Sequence, residues 1–183
     1  MEELTKKSIV NGTYKDDKIS EFGITHLHYE DCDKNELVKV NEEDFLHKKC
    51  AEAFEKMQKA ALKDGIEIFV VSGFRSSEEQ IEVFSRKFKD KENPTDEEMA
   101  ARMKFSAPSG YSEHHTGYAV DINSVEDDFK DEPAYQWLLK NAHRFCFENS
   151  FPINNWQNVG FEPWHWRYTG NEEALNIFAQ ARK

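Results

Sequence analysis

Apolar residues at Phe45, Leu46, Cys50, Phe54, Met57 and Ala61 recur at helical spacing and predict an amphipathic helix over 42–63. Asn41 offers an N-cap, and Glu42, Glu43 and Asp44 place acids in the first turn, where the helix dipole favours them. Asp64-Gly65 ends it, and the period then changes. The run Ile66-Glu67-Ile68-Phe69-Val70-Val71 is rich in β-branched and aromatic residues and predicts a strand. Ser72-Gly73 breaks that strand and delivers Phe74 and Arg75 at its carboxyl end. Ile81, Phe84 and Phe88 share one face of a helix over 77–88, while Thr95 and Glu98 form a capping box for another. Pro108-Ser109-Gly110 reads as a turn and Gly117 to Ile122 as a second central strand. A helix is expected from Pro133 through Ala142, a strand or irregular extended segment from Phe161 to Tyr168, and a closing helix from Glu172 to Ala181. Residues 1–36 are polar and irregular, with one short strand at 24–29. Helices and strands mix without regular βαβ alternation, so the fold class is α+β.

The chain has 183 residues, enough for one domain with its own core and too few for two comfortable ones. A formal charge of -11 argues against a nucleic-acid partner, because neutralising phosphates takes a surplus of Lys and Arg. It argues equally against adhesion to an anionic membrane. No stretch has the length of a membrane-spanning helix, and Met1 to Tyr14 lacks the apolar core of a secretory signal. The expected location is therefore the cytoplasm for the sequence as written, or the cell envelope if it is a processed form. Cys32, Cys50 and Cys146 are far apart and form no CxxC pair. Cys50 and Cys146 sit in apolar runs and read as buried, inert thiols.

Reactive side chains concentrate in three segments: Ser112 to Asp121, Glu162 to Tyr168, and Ser72 to Arg75 followed by Gln80. A hydrolytic zinc takes three protein ligands from imidazole and carboxylate and keeps a fourth position open. A further carboxylate must then move the proton. His114, Asp121 and His165 supply two imidazoles and a carboxylate, and Glu162 supplies the base. Pro163 disfavours a helix between Glu162 and His165, and side chains three apart on a flat strand point to opposite faces. A bend is therefore expected there, bringing base and ligand to one side. The helix-borne HExxH of other zinc peptidases is absent.

The pairing S-x-H-x-x-G-x-A-x-D with E-x-W-H-x-R-Y, carried by Ser112, His114, Gly117, Ala119 and Asp121 and then Glu162, Trp164, His165, Arg167 and Tyr168, resembles the D-alanyl-D-alanine carboxypeptidase and LdcB/VanY group of metallopeptidases. The upstream run S-G-F-R-S-x-x-x-Q, with Arg75 and Gln80, matches that group as well, and the likeness runs from about Val38 to the end. The resemblance implies a peptidase domain over 38–183 behind an extension of residues 1–37. It implies a small α+β, hedgehog-like fold with a central antiparallel sheet flanked by helices, and one catalytic Zn²⁺ held by His114, Asp121 and His165. Glu162 would be the base, and Arg75, Gln80, Ser112 and Trp164 would contact substrate. Two roles are open for Arg75: binding a terminal carboxylate or stabilising the tetrahedral oxyanion. The implied activity removes a terminal D-alanine from peptidoglycan stem peptides or D-Ala-D-Ala-containing precursors, acting as a monomer. The alternatives are an L,D-carboxypeptidase, a VanX/VanXY-like D,D-dipeptidase, an L-alanyl-D-glutamate endopeptidase and, from another class, a non-catalytic zinc-containing peptide-binding module.

Simpler roles are expected elsewhere. His26, His28, His47 and His143 read as surface or satisfied core histidines. His115 rivals His114 as a ligand, but the motif register favours His114. Trp164, Trp166 and Tyr168 divide between core packing and lining a cleft. The acidic run Glu126-Asp127-Asp128 reads as a solvated loop.

Overall fold

The computed structural model describes residues 4–182; Met1, Glu2, Glu3 and Lys183, at the outer ends of the expected extension and peptidase domain, lie outside the described residues. The segment read as polar and irregular holds a one-turn helix, α1 (Lys6–Val10), and a hairpin of β1 (Lys18–Glu21) with β2 (Ile24–Leu27). Thr5 and Ser8 cap α1 reciprocally, and Phe22-Gly23, both with positive φ, form the two-residue turn. Four apolar side chains in that polar context, Ile9, Val10, Ile19 and Ile24, are buried against Phe84, Phe88, Met99 and Met103. Burying each such side chain contributes about 1.5–3 kcal/mol, which ties the segment down.

A second hairpin, β3 (Leu37–Lys39) with β4 (Phe45–His47), occupies what was read as the start of the first long helix. Asn41 does not cap that helix. Its Oδ1 accepts from the Glu43 and Asp44 amides at 2.9 and 2.7 Å and closes the hairpin turn. The helix α2 (Lys48–Lys63) is capped instead by His47, whose Nδ1 accepts from the Lys49 amide at 3.1 Å. It buries Cys50, Phe54, Met57 and Ala61, the stripe read from the sequence.

The strand expected over 66–71 narrows to β5 (Val70–Ser72). Side chains satisfy the backbone before it: Gln58 donates to the Ile68 carbonyl, and Asn123 bridges the Phe69 amide and the Glu67 carbonyl. Next come α3 (Ser77–Ser85), opened by a Ser76–Glu79 capping box, and α4 (Asp96–Phe105), opened by the expected Thr95–Glu98 box. Arg102 donates to the Val83 and Phe84 carbonyls, closing α3 short of residue 88. Then follow β6 (Ala119–Ile122), α5 (Pro133–Asn141), β7 (Phe147–Asn149), β8 (His165–Tyr168) and α6 (Glu172–Ile177). Phe178 turns into the core, so α6 stops short of Ala181.

The antiparallel sheet β5-β6-β8-β7 is central. Helices α2 and α5 with Phe178 pack on its apolar side, around Val120, Ile122, Phe147, Trp166 and Tyr168. The smaller core between the amino-terminal segment and α3–α4 is separate. Cys50 is buried as expected, but Cys146 is exposed, because it sits at φ +62 where the chain leaves a 3-10 turn. Among the described residues, no helix is long and apolar enough to cross a membrane.

Candidate metal centre and cleft

Strand register builds the centre. In the β6–β8 ladder Asp121 lies directly opposite His165, while Ser72 of β5 flanks Asp121 on the other side. Directly opposed residues bring their side chains within reach of one another, and Asp121 Oδ1 lies 2.8 Å from His165 Nδ1. His114 arrives on the 3-10 turn of residues 113–116, which ends at Gly117 with φ +68. A side chain at Gly117 would crowd the His47 amide and Leu37 at 3.0 Å, so glycine is needed both for the backbone and for the space. His114 Nδ1 donates to the Gly73 carbonyl at 2.7 Å, which turns Nε2 toward Asp121 Oδ2 at 3.3 Å. The ligand atoms of His114, Asp121 and His165 all lie within 4.8 Å of one another, and the three residues are buried.

These residues fit a divalent cation. The donor set is two imidazoles and one carboxylate, the set of hydrolytic zinc sites. Each imidazole is oriented through its other nitrogen, His114 by the Gly73 carbonyl and His165 by Glu113 Oε2 at 3.0 Å, as metal-binding histidines usually are. Burial opposes a charge on His165, yet its hydrogen bonds to Asp121 and Glu113 outweigh burial and raise it to about 10. Burial likewise opposes the Asp121 carboxylate, but His114 and His165 hold it far below the usual range. Two buried carboxylates, Asp121 and Glu113, face the His165 ring at its two nitrogens, so the pocket favours positive charge.

Glu113 was not read as functional from the sequence. It is buried beneath His165, with Oε1 accepting from Arg167 at 2.9 Å and Oε2 from Ser150. Arg167 in turn reaches Glu148 at 2.8 Å, its cross-strand partner on β7. The signal available was an acid beside the ligand histidine in the first motif, with an arginine two residues after the second. Phe151 stacks on the His165 ring, with centroids 5.2 Å apart.

Glu162 reaches the same cleft through the expected bend. The His165 amide turns back to the Glu162 carbonyl at 3.4 Å, and Asn149 Nδ2 donates to the carbonyls of both residues at 2.7 and 3.0 Å. Burial pushes the Glu162 carboxyl up to about 8; His165 opposes this, Asp121 and Glu113 reinforce it, and Arg75 opposes it weakly. A carboxyl poised near neutrality suits a group that must accept and return a proton.

The cleft encloses about 600 Å³, and Arg75, Gln80, Ser112, Glu162 and Trp164 all line it beside the three candidate ligands. Arg75 Nε and Gln80 Oε1 are buried without hydrogen-bond partners. Orphaned buried polar atoms are costly, so a ligand that meets them gains. The Gln80 amide nitrogen is fixed to the Ala107 carbonyl at 2.7 Å, and Ser112 Oγ accepts from the His114 amide at 3.3 Å. Trp164 serves both roles open to it, packing on the main core and lining the cleft, whereas Trp166 and Tyr168 are core residues.

His115 faces away from the metal ligands. Its Nδ1 donates to the Arg75 carbonyl at 2.7 Å and its Nε2 accepts from the Gly110 amide at 3.1 Å, so it anchors the backbone that carries Arg75. Burial lowers it to about 4. His26, also buried, bonds the Met103 carbonyl, and His47 bonds the Tyr118 hydroxyl. Glu126 and Asp127 reach the cleft as well, although their run was read as a solvated loop.

Residues 43–171 match the model of VanY, D-alanyl-D-alanine carboxypeptidase. A D-alanyl-D-alanine carboxypeptidase of Enterococcus faecalis is 36% identical over 126 residues, covering 66% of this chain and 47% of that protein. The chain spans about half the length of the curated relatives that it matches best among these. A mutant of the vancomycin-resistance D,D-pentapeptidase VanY, crystallised with Zn(II), superposes with a TM-score of 0.63 at 33% identity, covering 79% of this chain and 84% of that one. The LdcB LD-carboxypeptidase superposes with a TM-score of 0.62 at 27% identity, covering 92% of this chain and 76% of that one. Sequence match and fold agree, and the chain belongs to the VanY D-alanyl-D-alanine carboxypeptidase family.

Proposed function

We propose that this chain is a zinc carboxypeptidase that removes the terminal D-alanine from peptidoglycan stem peptides or their D-Ala-D-Ala-containing precursors. The observation that carries the reading is the convergence of His114, Asp121 and His165 in a cleft that also presents Glu162 and the unpartnered Nε of Arg75. His114, Asp121 and His165 would hold zinc, which would supply Lewis acidity to activate water near neutral pH. Glu162 takes the proton of the attacking water and returns it to the departing amine. Arg75 and Gln80, with Ser112, face the peptide; the guanidinium either clamps the terminal carboxylate or neutralises the developing oxyanion. Trp164 lines one side of the cleft, where its indole can pack against the peptide. Residues 38–183 form the peptidase domain in this reading, behind residues 1–37; the family match over 43–171 supports placing the domain there.

Pentapeptide and tetrapeptide stems and free D-Ala-D-Ala, incubated with the protein and weighed by mass spectrometry, test the reaction. Release of D-alanine from the pentapeptide is expected. Release only from the tetrapeptide would favour the L,D-carboxypeptidase reading, which the likeness to LdcB keeps in view. Glu162→Gln should retain its zinc while kcat/KM falls by about 10²–10⁴. A fully active Glu162→Gln protein would overturn the assignment of the base, and no D-alanine release from any substrate would overturn the function.

A further inference from the structure

Beyond the metal centre the cleft has an unusual wall. Gln80, Val83 and Lys87 recur at three- and four-residue spacing along α3 and its end, and all line the cavity, with Arg86 beside them. Arg102 of α4 lines it too, held by the carbonyls that end α3. With Arg75, four cations therefore face one cleft in a chain that has 24 Lys and Arg against 35 Asp and Glu. The nearby acids are engaged elsewhere: Glu79 turns back to Ser76, and Glu82 pairs with Lys91. Among the described residues, Arg86 and Lys87 have no carboxylate within ion-pairing distance. Burial, then the neighbouring Arg86 and Arg75, push Arg102 down to about 10, whereas Arg75 is also under the pull of Asp121, Glu79 and Glu162. The acids that line the cavity away from the metal ligands, Glu126 and Asp127, come from the chain after β6 and not from this wall.

We propose that Arg86, Lys87 and Arg102 form a subsite for a second carboxylate of the substrate, carried on the acyl side of the scissile bond. The inference rests on the carboxypeptidase reading and adds a specificity to it. Position fixes the side. α3 ends at Ser85, about 7 Å along the axis from Gln80, and Arg86 and Lys87 follow in the turn beyond it. An extended peptide covers roughly 3.3–3.6 Å per residue, so the wall sits about two to three residues from the part of the substrate that meets Gln80. A carboxypeptidase leaves one residue beyond the bond it cuts, so a group this far away belongs to the acyl portion. A D-Ala-D-Ala dipeptide cannot reach it.

The test compares acetyl-Glu-Ala-D-Ala-D-Ala with its Gln counterpart, which differs only in the charge three residues before the carboxyl terminus. Wild-type protein is expected to favour the Glu peptide about tenfold in kcat/KM, mainly through KM, with the preference shrinking as salt rises. In Arg86→Gln with Lys87→Gln the ratio between the two peptides should fall to within about twofold. Arg86→Glu with Lys87→Glu should invert it, favouring the Gln peptide. A wild-type ratio near one, or a ratio that survives both double variants, overturns the subsite. If wild-type protein releases D-alanine from neither peptide, the carboxypeptidase reading itself fails.

Discussion

Glu113 directs its hydrogen bonds to His165, Ser150 and Arg167, so replacing it probes the value of orienting a candidate ligand. Glu113→Gln is the least disruptive change, because the amide occupies the same volume. Three partners of the carboxylate, Arg167, Ser150 and His165, are then left with a single acceptor. Arg167 can only donate, and its bond to Oε1 at 2.9 Å demands an oxygen there. If the amide oxygen meets Arg167, the NH₂ faces His165 Nε2, 3.0 Å away in the native arrangement. An amide donor there favours the tautomer with its proton on Nδ1, the nitrogen that faces Asp121. Metal must then displace that proton from a neutral ring, without the carboxylate that made His165 a stronger donor. Loss of an outer-shell partner of this kind lowers metal affinity by about 10–100-fold, equivalent to roughly 1.4–2.8 kcal/mol. The fold should lose less than the 3–5 kcal/mol typical of a broken buried pair, about 1–3 kcal/mol, because Glu148 still holds Arg167 at 2.8 Å. Competition with a chromophoric chelator gives the zinc affinity of the wild-type and variant proteins, and thermal unfolding of the metal-free forms gives the separate cost to the fold. Zinc affinity within twofold of wild type would refute the claim that Glu113 orients His165 for metal.

Three further outcomes follow from the same geometry. Gly117→Ala should destabilise the metal-free protein by about 1–3 kcal/mol, from a strained φ of +68 and contacts at 3.0 Å; an unchanged melting temperature would show that the turn can relax. Chelation of the metal should lower the melting temperature, since zinc at a hundred times its Kd adds about 2.7 kcal/mol to the folded state; identical melting with and without zinc would contradict a buried three-ligand site. His26 is held near 4 by burial, below the ordinary value of 6.5, against the opposing pull of its bond to Met103. The folded state therefore binds this proton less readily than the unfolded state, so the associated stability is full above pH 6.5 and is lost as pH falls toward 4. The loss is about 3 kcal/mol at the acid end. His26→Gln, which keeps a donor for the Met103 carbonyl, should flatten that part of the acid limb, and parallel stability curves for the two proteins would rule His26 out as its source.

What the sequence discloses of the centre depends on how each residue is held. His114, Asp121, Glu162 and His165 could be read because each sits in a segment whose spacing and residue types have a chemical reason, and Pro163 forced the bend that brings the last two together. Arg75 could be read because it follows the end of an apolar strand, and Gln80 only through the likeness of the S-G-F-R-S-x-x-x-Q run to the family. Glu113 could not, because its partners Arg167 and Ser150 lie on a strand and a turn whose pairing register is not visible in the chain. The same limit explains the elements that differ. Asn41 has one chemistry, an acceptor for amides two and three residues on, and that chemistry serves a helix cap or a hairpin turn equally well. Pairing of Leu37–Lys39 with Phe45–His47 settles it, and that pairing is a tertiary contact. In the first 36 residues the elements are four or five residues long, too short for a period to emerge. Their order comes from Ile9, Val10, Ile19 and Ile24 finding the apolar faces of α3 and α4. Those two helices also carry Gln80, Arg86, Lys87 and Arg102 along the cleft. The amino-terminal segment thus backs the wall on which the proposed acyl-side selectivity depends, although none of its reactive groups belongs to the metal centre.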